Sequence, residues 1–159
     1  MLTAPEYLAR LNSPTEWTTR SVKHFLNTSR SLCDVELSLG AGSGGVIGTI
    51  RFDCDAEHDA TILETLSNAV LSAIVKAPAI CAAHLCRADE GASNLKTAEQ
   101  SGRAANMVPR WVVIVEGATR EAVDEILATH LPPAIFAELG APDILSGVYR
   151  LQHDRLAAT

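Results

Sequence analysis

The chain has 159 residues, of which 47% are hydrophobic, and it carries 13 Lys and Arg against 19 Asp and Glu. This length suits one domain built on a single core. The net charge of −6 argues against nucleic acid as a partner, because recognition of nucleic acid normally needs a basic face. The sequence has no Lys/Arg cluster, and its longest apolar run, at 69–83, is broken by polar residues and a proline, so no membrane association is predicted.

The N-terminus and the cysteines indicate a cytoplasmic protein. Glu6 and Arg10 fall where a signal peptide needs an apolar core. The four cysteines form no CxxC pair and have no metal-type spacing with the histidines, so no metal site is predicted. We expect them to be reduced thiols that pack as small apolar side chains.

Residues 1–45 are predicted to form a helical segment and one strand, appended to a core domain at 46–159. Pro5 suits a first helical turn, and either Ser13 or Thr15 can cap a second helix. A half-buried strand is predicted at 32–39, because apolar residues at 33, 35, 37 and 39 alternate with Asp34, Glu36 and Ser38. The glycine-rich stretch at 40–45 has no GK[ST] and precedes a strand, which favours a flexible connection over a phosphate-binding loop.

The core domain reads as two successive strand–helix–strand units. The first has strands at 46–53 and 79–87 around a long helix that Pro78 ends. The apolar residues expected on the inner face of this helix are Ile62, Leu63, Leu66, Ala69, Val70, Ala73 and Ile74. Residues 88–109 are predicted to be an exposed loop, with a helical turn near 97–105, that can fold over a cavity mouth.

The second unit begins with a buried strand at 111–117. Thr119 is predicted to cap the following helix, which Pro132 and Pro133 interrupt. A last strand is predicted at 145–152, followed by a frayed tail at 153–159.

The element order β-α-β-β-α-β predicts an α+β fold, a ferredoxin-like antiparallel sheet with both helices on one face. The opposite face needs a cover, because its strands carry several apolar residues. We assign to this face Ile47, Ala82, Val112, Ile114 and Val148. A second copy of the sheet is the simplest cover, so a homodimer is predicted.

Three stretches resemble the dimeric α+β barrel superfamily: WVVIVEGATREAVDEIL, GVYRLQ and DATILETLSNAVLSAIVKAPAICAAHLCR. In that superfamily, which includes EthD-like and antibiotic-biosynthesis-monooxygenase-like members, two ferredoxin-like halves close a barrel between subunits or tandem repeats. The N-terminal segment is similar to the last helix and strand of a preceding repeat, so the chain would carry one whole repeat and the end of another. The resemblance implies enzymes that act on small, often aromatic or polyketide-like substrates, including cofactor-free monooxygenases.

Strand parity brings three candidate catalytic residues to the face away from the helices. If Ala83 and Leu85 pack on the helices, His84 points to the opposite side, and the same parity assigns Arg51 and Glu116 there. A histidine beside a carboxylate can act as a general base, and an arginine can orient an anionic substrate. The candidate ligand-binding residues on this face are Thr49, Cys86, Arg150 and Gln152.

Several alternatives remain open from the sequence. Arg51, His84 and Glu116 could form a polar network that only satisfies itself, and an assignment wrong by one residue would reverse every side chain. The same parity places Tyr149 on the helix side. The main functional hypothesis is a small-molecule-binding barrel, with or without catalysis, and the alternative is a non-catalytic protein whose sheet face serves only dimerisation. No cofactor is predicted from the residues, and haem with His84 as axial ligand follows from the resemblance alone.

Overall fold

A computed structural model of the chain describes residues 4–24, 31–94, 98 and 108–152. It divides the chain into a helical unit, residues 1–33 and 88–109, and a sheet unit, residues 34–87 and 110–159. The sequence predicts a boundary between residues 45 and 46, and the division in the structure is different. The reason is that the strand before the glycine-rich stretch joins the sheet, whereas the segment after residue 87 groups with the N-terminal helices.

The described part of the helical unit contains short helices. They are α1 (Pro5–Asn12), α2 (Glu16–Ser21), a 3-10 turn (Val22–His24) and α5 (Glu90–Ser93). Of these, α2 and α5 have side-chain N-caps. Pro5 lies in the first turn of α1, and the Thr15 side chain accepts the Thr18 N–H at the start of α2, as predicted. Apart from residue 98, the predicted turn near 97–105 and the tail at 153–159 lie outside the described residues.

Five strands of the described residues form one sheet with the order β1-β3-β4-β2-β5. The strands are β1 (Cys33–Gly40), β2 (Val46–Phe52), β3 (Ile80–Ala88), β4 (Trp111–Gly117) and β5 (Ile144–Arg150). The pairs β2–β4, β2–β5 and β3–β4 are antiparallel. β1 also runs antiparallel to β3, because Ser38 contacts His84 whereas Gly40, two residues later, lies against Cys81, three residues earlier. The predicted ferredoxin-like βαββαβ fold is confirmed, with one extra strand at an edge.

The helices of the sheet unit bury one side of the sheet. They are α3 (Asp59–Thr65), a π-helical segment (Leu66–Leu71), α4 (Ser72–Ile74), α6 (Arg120–His130) and α7 (Pro133–Glu138). Alternate strand residues such as Ile50, Leu85 and Val113 form the core with them, and the rings of Phe52 and Phe136 are 4.9 Å apart. Thr119 caps α6, as predicted. The helix is interrupted between α6 and α7 at Pro132 and Pro133, also as predicted. Among the helices of the described residues, none combines the length and the apolar character needed to cross a bilayer.

The π-helical segment changes which residues of the long helix face the core. Leu66 and Leu71 are both fully buried although they are five residues apart. Ala69 and Ala73, which regular helical spacing assigned to the inner face, are exposed, so that part of the prediction is wrong. The physical reason is the i→i+5 winding, which places Leu71 where an α-helix would place the residue before it. The Ser72 hydroxyl donates a hydrogen bond to the Ser67 carbonyl, 2.8 Å away.

Helix α6 approaches the sheet closely at Gly48. A Cβ atom at this position would lie 2.7 Å from Val123 Cγ1 and 3.0 Å from Leu127 Cδ1. Val123 is fully buried and β-branched, so its side chain has little freedom to move away. The absence of a side chain at Gly48 therefore sets the distance between α6 and the sheet.

We expect Gly48→Ala to destabilise the fold by about 1–3 kcal/mol, the usual cost of overpacking a core. Gly45→Ala is the matched control, because Gly45 is exposed and an added Cβ atom there would meet no atom within 4 Å. Urea unfolding of both variants and the wild type gives the comparison. Equal unfolding midpoints for the two variants would contradict the close approach.

Asp59 joins the first turn of α3 to the start of β4. Arg110 donates two hydrogen bonds to its carboxylate, at 2.9 and 2.6 Å, and the Trp111 indole N–H donates a third at 2.9 Å. Arg87 lies 3.9 Å from the same carboxylate. The Arg110 hydrogen bonds, followed by the Trp111 bond, hold the pKa of Asp59 below its usual value despite partial burial. Burial, followed by the charge of Asp59, raises the pKa of the nearby Cys54 thiol.

This lowered pKa makes the stability of the fold depend on pH. Asp59 contributes its full stabilisation above its unfolded-state pKa, near 3.8, and loses it as the pH falls through the lower folded-state value. We expect Asp59→Asn to cost about 2 kcal/mol at neutral pH, because three charge-assisted bonds are weakened, and to cost progressively less as the pH falls into this acidic range.

Chemical denaturation at several pH values measures this difference. Asp124→Asn is the control, since Asp124 pairs with Arg120 on an exposed face of α6. A cost for Asp59→Asn that stays constant down to the acid limit, or that matches the Asp124→Asn cost, would contradict the assignment.

Candidate functional site

The side of the sheet opposite these helices, called here the second face, presents three rows of side chains. Strand register defines each row across β3, β4, β2 and β5. The first row is Ala82, Glu116, Ile47 and Tyr149; the second is His84, Ile114, Thr49 and Gly147; the third is Cys86, Val112, Arg51 and Leu145. Apolar side chains therefore alternate with a few polar ones on this face.

A chain of hydrogen bonds connects four residues of the second face and its border. His84 Nε2 lies 3.2 Å from Glu116 Oε1, and His84 Nδ1 lies 2.9 Å from the Ser38 hydroxyl. The other carboxylate oxygen of Glu116 accepts the Gly44 backbone N–H at 2.9 Å. The His84 and Glu116 side chains are only 23% and 25% exposed, so water screens this pair incompletely.

These contacts determine the arrangement of protons in neutral His84. A carboxylate oxygen can only accept a hydrogen bond, so the proton of the His84–Glu116 bond resides on Nε2. Nδ1 of the neutral ring then has a lone pair and accepts the hydroxyl proton of Ser38. The Ser38 oxygen, on an exposed position of β1, keeps its own lone pairs available.

The glycine-rich stretch at 40–45 positions the Glu116 end of this series of hydrogen bonds. It crosses the end of the sheet, because Gly42 lies against Cys81 of β3 and Gly44 lies against Gly117 of β4. A Cβ atom at Gly44 would be 2.6 Å from the Gly117 backbone N and O atoms, so only glycine allows this approach. The prediction of a connection between two strands is confirmed, and the connection also supplies the N–H that orients Glu116.

The structure brings together two of the three candidate catalytic residues. His84 and Glu116 are in contact, whereas Arg51 is two strands and one row away from His84, about 12 Å between Cα atoms from ordinary sheet spacings. The Arg51 Nε atom is buried and has no hydrogen-bond partner among the described residues. Thr49 and Cys86 also lie on the second face, one in the row of His84 and one in the row of Arg51.

The assignment of β5 was wrong by one residue. Val148 and Arg150 pair with Gly48 and Val46, whose side faces the helices, so both lie on the helix side and not on the second face. Arg150 instead lines a hollow beside the first turn of α6, with Thr119 and Arg120. Gln152 follows the end of β5 and bonds to the Arg150 carbonyl, so it is not part of the His84 cluster.

Tyr149 is correspondingly on the second face, where its ring lies over Gly147. Sequence reasoning placed Tyr149 in the core and did not single out Ser38 or Gly44. Alternation on β1 did place Ser38 on the polar side of its strand. Its contact with His84 depends on β1 lying beside β3, which no local pattern encodes.

Comparison with known proteins supports the fold. No protein-family model matches the sequence, and no curated protein matches it. A heme-degrading enzyme from Listeria monocytogenes superposes with a TM-score of 0.52 and 13% identity, over 79% of this chain and 74% of that one. An uncharacterised ferredoxin-fold protein related to antibiotic biosynthesis monooxygenases, also from Listeria monocytogenes, gives 0.55 and 13%, over 82% and 70%. These two likenesses show that the chain has a ferredoxin-like α+β fold.

The second face offers little for a metal or for haem iron. Among the described residues, no three His, Cys, Asp or Glu side chains are placed to hold a metal ion. Both ring nitrogens of His84 are already hydrogen-bonded, so this residue would have to break its bond to Ser38 or to Glu116 before it could ligate iron. The arrangement seen here does not fit axial ligation by His84.

Proposed function

We propose that this protein binds a small organic molecule on the second face of its sheet and that His84, supported by Glu116, acts as a general base whose Nδ1 receives the proton by way of the Ser38 hydroxyl. The observation that carries this proposal is the half-buried His84–Glu116 pair, whose neighbours on β3 and β4 include the apolar residues Ala82, Val112 and Ile114. Polar groups of precise orientation within apolar walls are typical of small-molecule sites. A purely structural sheet face would gain more from apolar side chains at both positions.

The environment of Arg51 favours a ligand that carries a carbonyl or carboxylate group. Its Nε atom lacks an acceptor among the described residues, and an unpaired buried donor costs about 1–3 kcal/mol. An acceptor group on the ligand would remove that cost. Ile114 and Thr49 lie between Arg51 and His84, so a ligand that reached both would have its middle part over these two side chains.

A second copy of the chain is the proposed cover for this face. Leu145 and Tyr149 are 54% and 50% exposed at the β5 edge of the second face. The two similar solved structures support the fold, and the dimer is our inference from the apolar residues. Face-to-face association would enclose the ligand between two sheets.

Binding can be tested by thermal shift with a library of small organic acids, esters and phenols, with haem included as a separate probe. A ligand at 100-fold its Kd stabilises the folded state by about 2.7 kcal/mol. We expect compounds that stabilise the wild type to lose this effect in His84→Ala and to keep it in His24→Ala, an exposed histidine of the helical unit. Haem should give a Soret shift that does not depend on His84, or none.

The outcomes of this screen separate the alternatives. Compounds that stabilise His84→Ala as strongly as the wild type would place the binding site elsewhere and refute the proposal. If no compound of the library has an effect, the second face is left with a role in association alone. A Soret shift lost in His84→Ala would show that His84 gives up one of its hydrogen bonds to ligate iron.

The dimer can be tested separately by mass in solution. Leu145→Glu places a charge on the exposed edge of the second face, and we expect it to shift the protein from dimer to monomer without loss of the fold. Ser146→Glu is the matched control, because Ser146 is exposed and its side chain is on the opposite side of the same strand. A wild-type monomer by light scattering, or equal masses for the two variants, would contradict the proposal.

A further inference from the structure

We infer that Ser38 is a nucleophile and that Ser38, His84 and Glu116 hydrolyse small carboxylic esters. This inference rests on the proposed use of the second face as a binding site and specifies its chemistry. Its basis is the geometry: the hydroxyl oxygen is 2.9 Å from one imidazole nitrogen, and the carboxylate is 3.2 Å from the other. A nucleophile in contact with a base that a third group orients is the arrangement of serine-type acyl transfer.

Strand pairing fixes the backbone position of each member of the cluster. Ser38 and His84 are fixed by the pairing of β1 with β3, and Glu116 by the pairing of β3 with β4. The Gly44 N–H holds the second oxygen of Glu116, which leaves the first oxygen aimed at His84. The cluster is therefore preorganised in the protein alone, as catalysis by positioned groups requires.

The two imidazole nitrogens have exchanged positions relative to the serine protease triad, in which Nε2 faces the nucleophile. Here Nδ1 faces Ser38 and Nε2 faces Glu116. The two nitrogens can exchange roles, because the base is whichever nitrogen lacks the proton, and Glu116 determines which one that is. Glu116 is then a positioning residue that also stabilises the imidazolium formed during the reaction.

The reaction balances with water as the only co-reactant. The Ser38 oxygen forms a bond to the ester carbonyl carbon while its proton passes to His84 Nδ1. The tetrahedral adduct collapses by breaking the bond from that carbon to the alcohol oxygen, which takes the proton from Nδ1 as the alcohol leaves. A water molecule then gives a proton to Nδ1 and attacks the acyl carbon, and the acid departs as Ser38 recovers its proton.

The surroundings favour a small ester with apolar groups. Ile114 lies beside His84 in the same row, and Ile47 lies beside Glu116. Ser38 is exposed on the edge strand β1, so an acyl group can reach its oxygen without movement of the core. The same exposure means that substitution of Ser38 should leave the fold intact.

Two measurements on the full chain test the inference: hydrolysis of p-nitrophenyl acetate, and covalent labelling by a fluorophosphonate probe followed by peptide mass spectrometry. We expect the probe to modify Ser38, and we expect Ser38→Ala and His84→Ala each to lower hydrolysis about 100-fold, the lower end of what general-base catalysis contributes. Ser146→Ala, an exposed strand serine outside the cluster, should behave as the wild type. Glu116→Gln should reduce the labelling rate without changing the labelled residue.

The inference is overturned if the probe does not modify Ser38, or if Ser38→Ala hydrolyses the ester as fast as the wild type. Thermal shift separates this failure from failure of the proposed function. Library compounds that still stabilise the wild type and Ser38→Ala, in the absence of labelling, would refute the nucleophile and leave the binding site standing. Loss of both labelling and stabilisation would refute both.

Discussion

The pairing of β4 with its two neighbours is the constraint on which the rest of this structure depends. β4 is in the middle of the sheet, and its register with β3 and β2 decides at once which side chains enter the core and which face the other way. Val113 and Val115 are fully buried under the helices, so the alternate residues Val112, Ile114 and Glu116 are forced to the second face. A slip of one residue would bury Glu116 and expose two valines.

The same register explains why a polar cluster persists on a largely apolar face. Glu116 is satisfied from two sides, by His84 and by the Gly44 N–H, so neither of its oxygens is left without a partner. The ring of His84 in turn uses both of its nitrogens. A fully satisfied network of this kind avoids the cost of an unpaired buried group, and it also fixes the orientation of each member.

The sequence was informative wherever buried residues alternate clearly with others. Ala83 and Leu85 on one strand, and Val113 and Val115 on another, gave the correct parity for His84 and Glu116. Neighbouring apolar residues in β5, with Ile144 beside Leu145, gave no such parity, and the true register comes from pairing with β2.

The contacts that could not be predicted from the sequence depend on pairing between distant parts of the chain. The contact between Ser38 and His84 joins residues 46 positions apart, and it exists because β1 adds to the edge beside β3. The crossing of the glycine-rich stretch over the strand ends is equally non-local, since Gly44 meets a carboxylate 72 positions away. Composition of that stretch indicated a connection, but only the assembled sheet shows what the connection touches.

The π-helical segment affects how many residues the helical stretch between β2 and β3 needs. Ile62, Leu66, Leu71 and Ile74 are all fully buried. Removal of one residue from 67–70 would set these four side chains at i, i+4, i+8 and i+11, the spacing of an ordinary amphipathic helix. Two helix lengths are thus compatible with one core, and the wider turn absorbs a surplus residue that packing does not require.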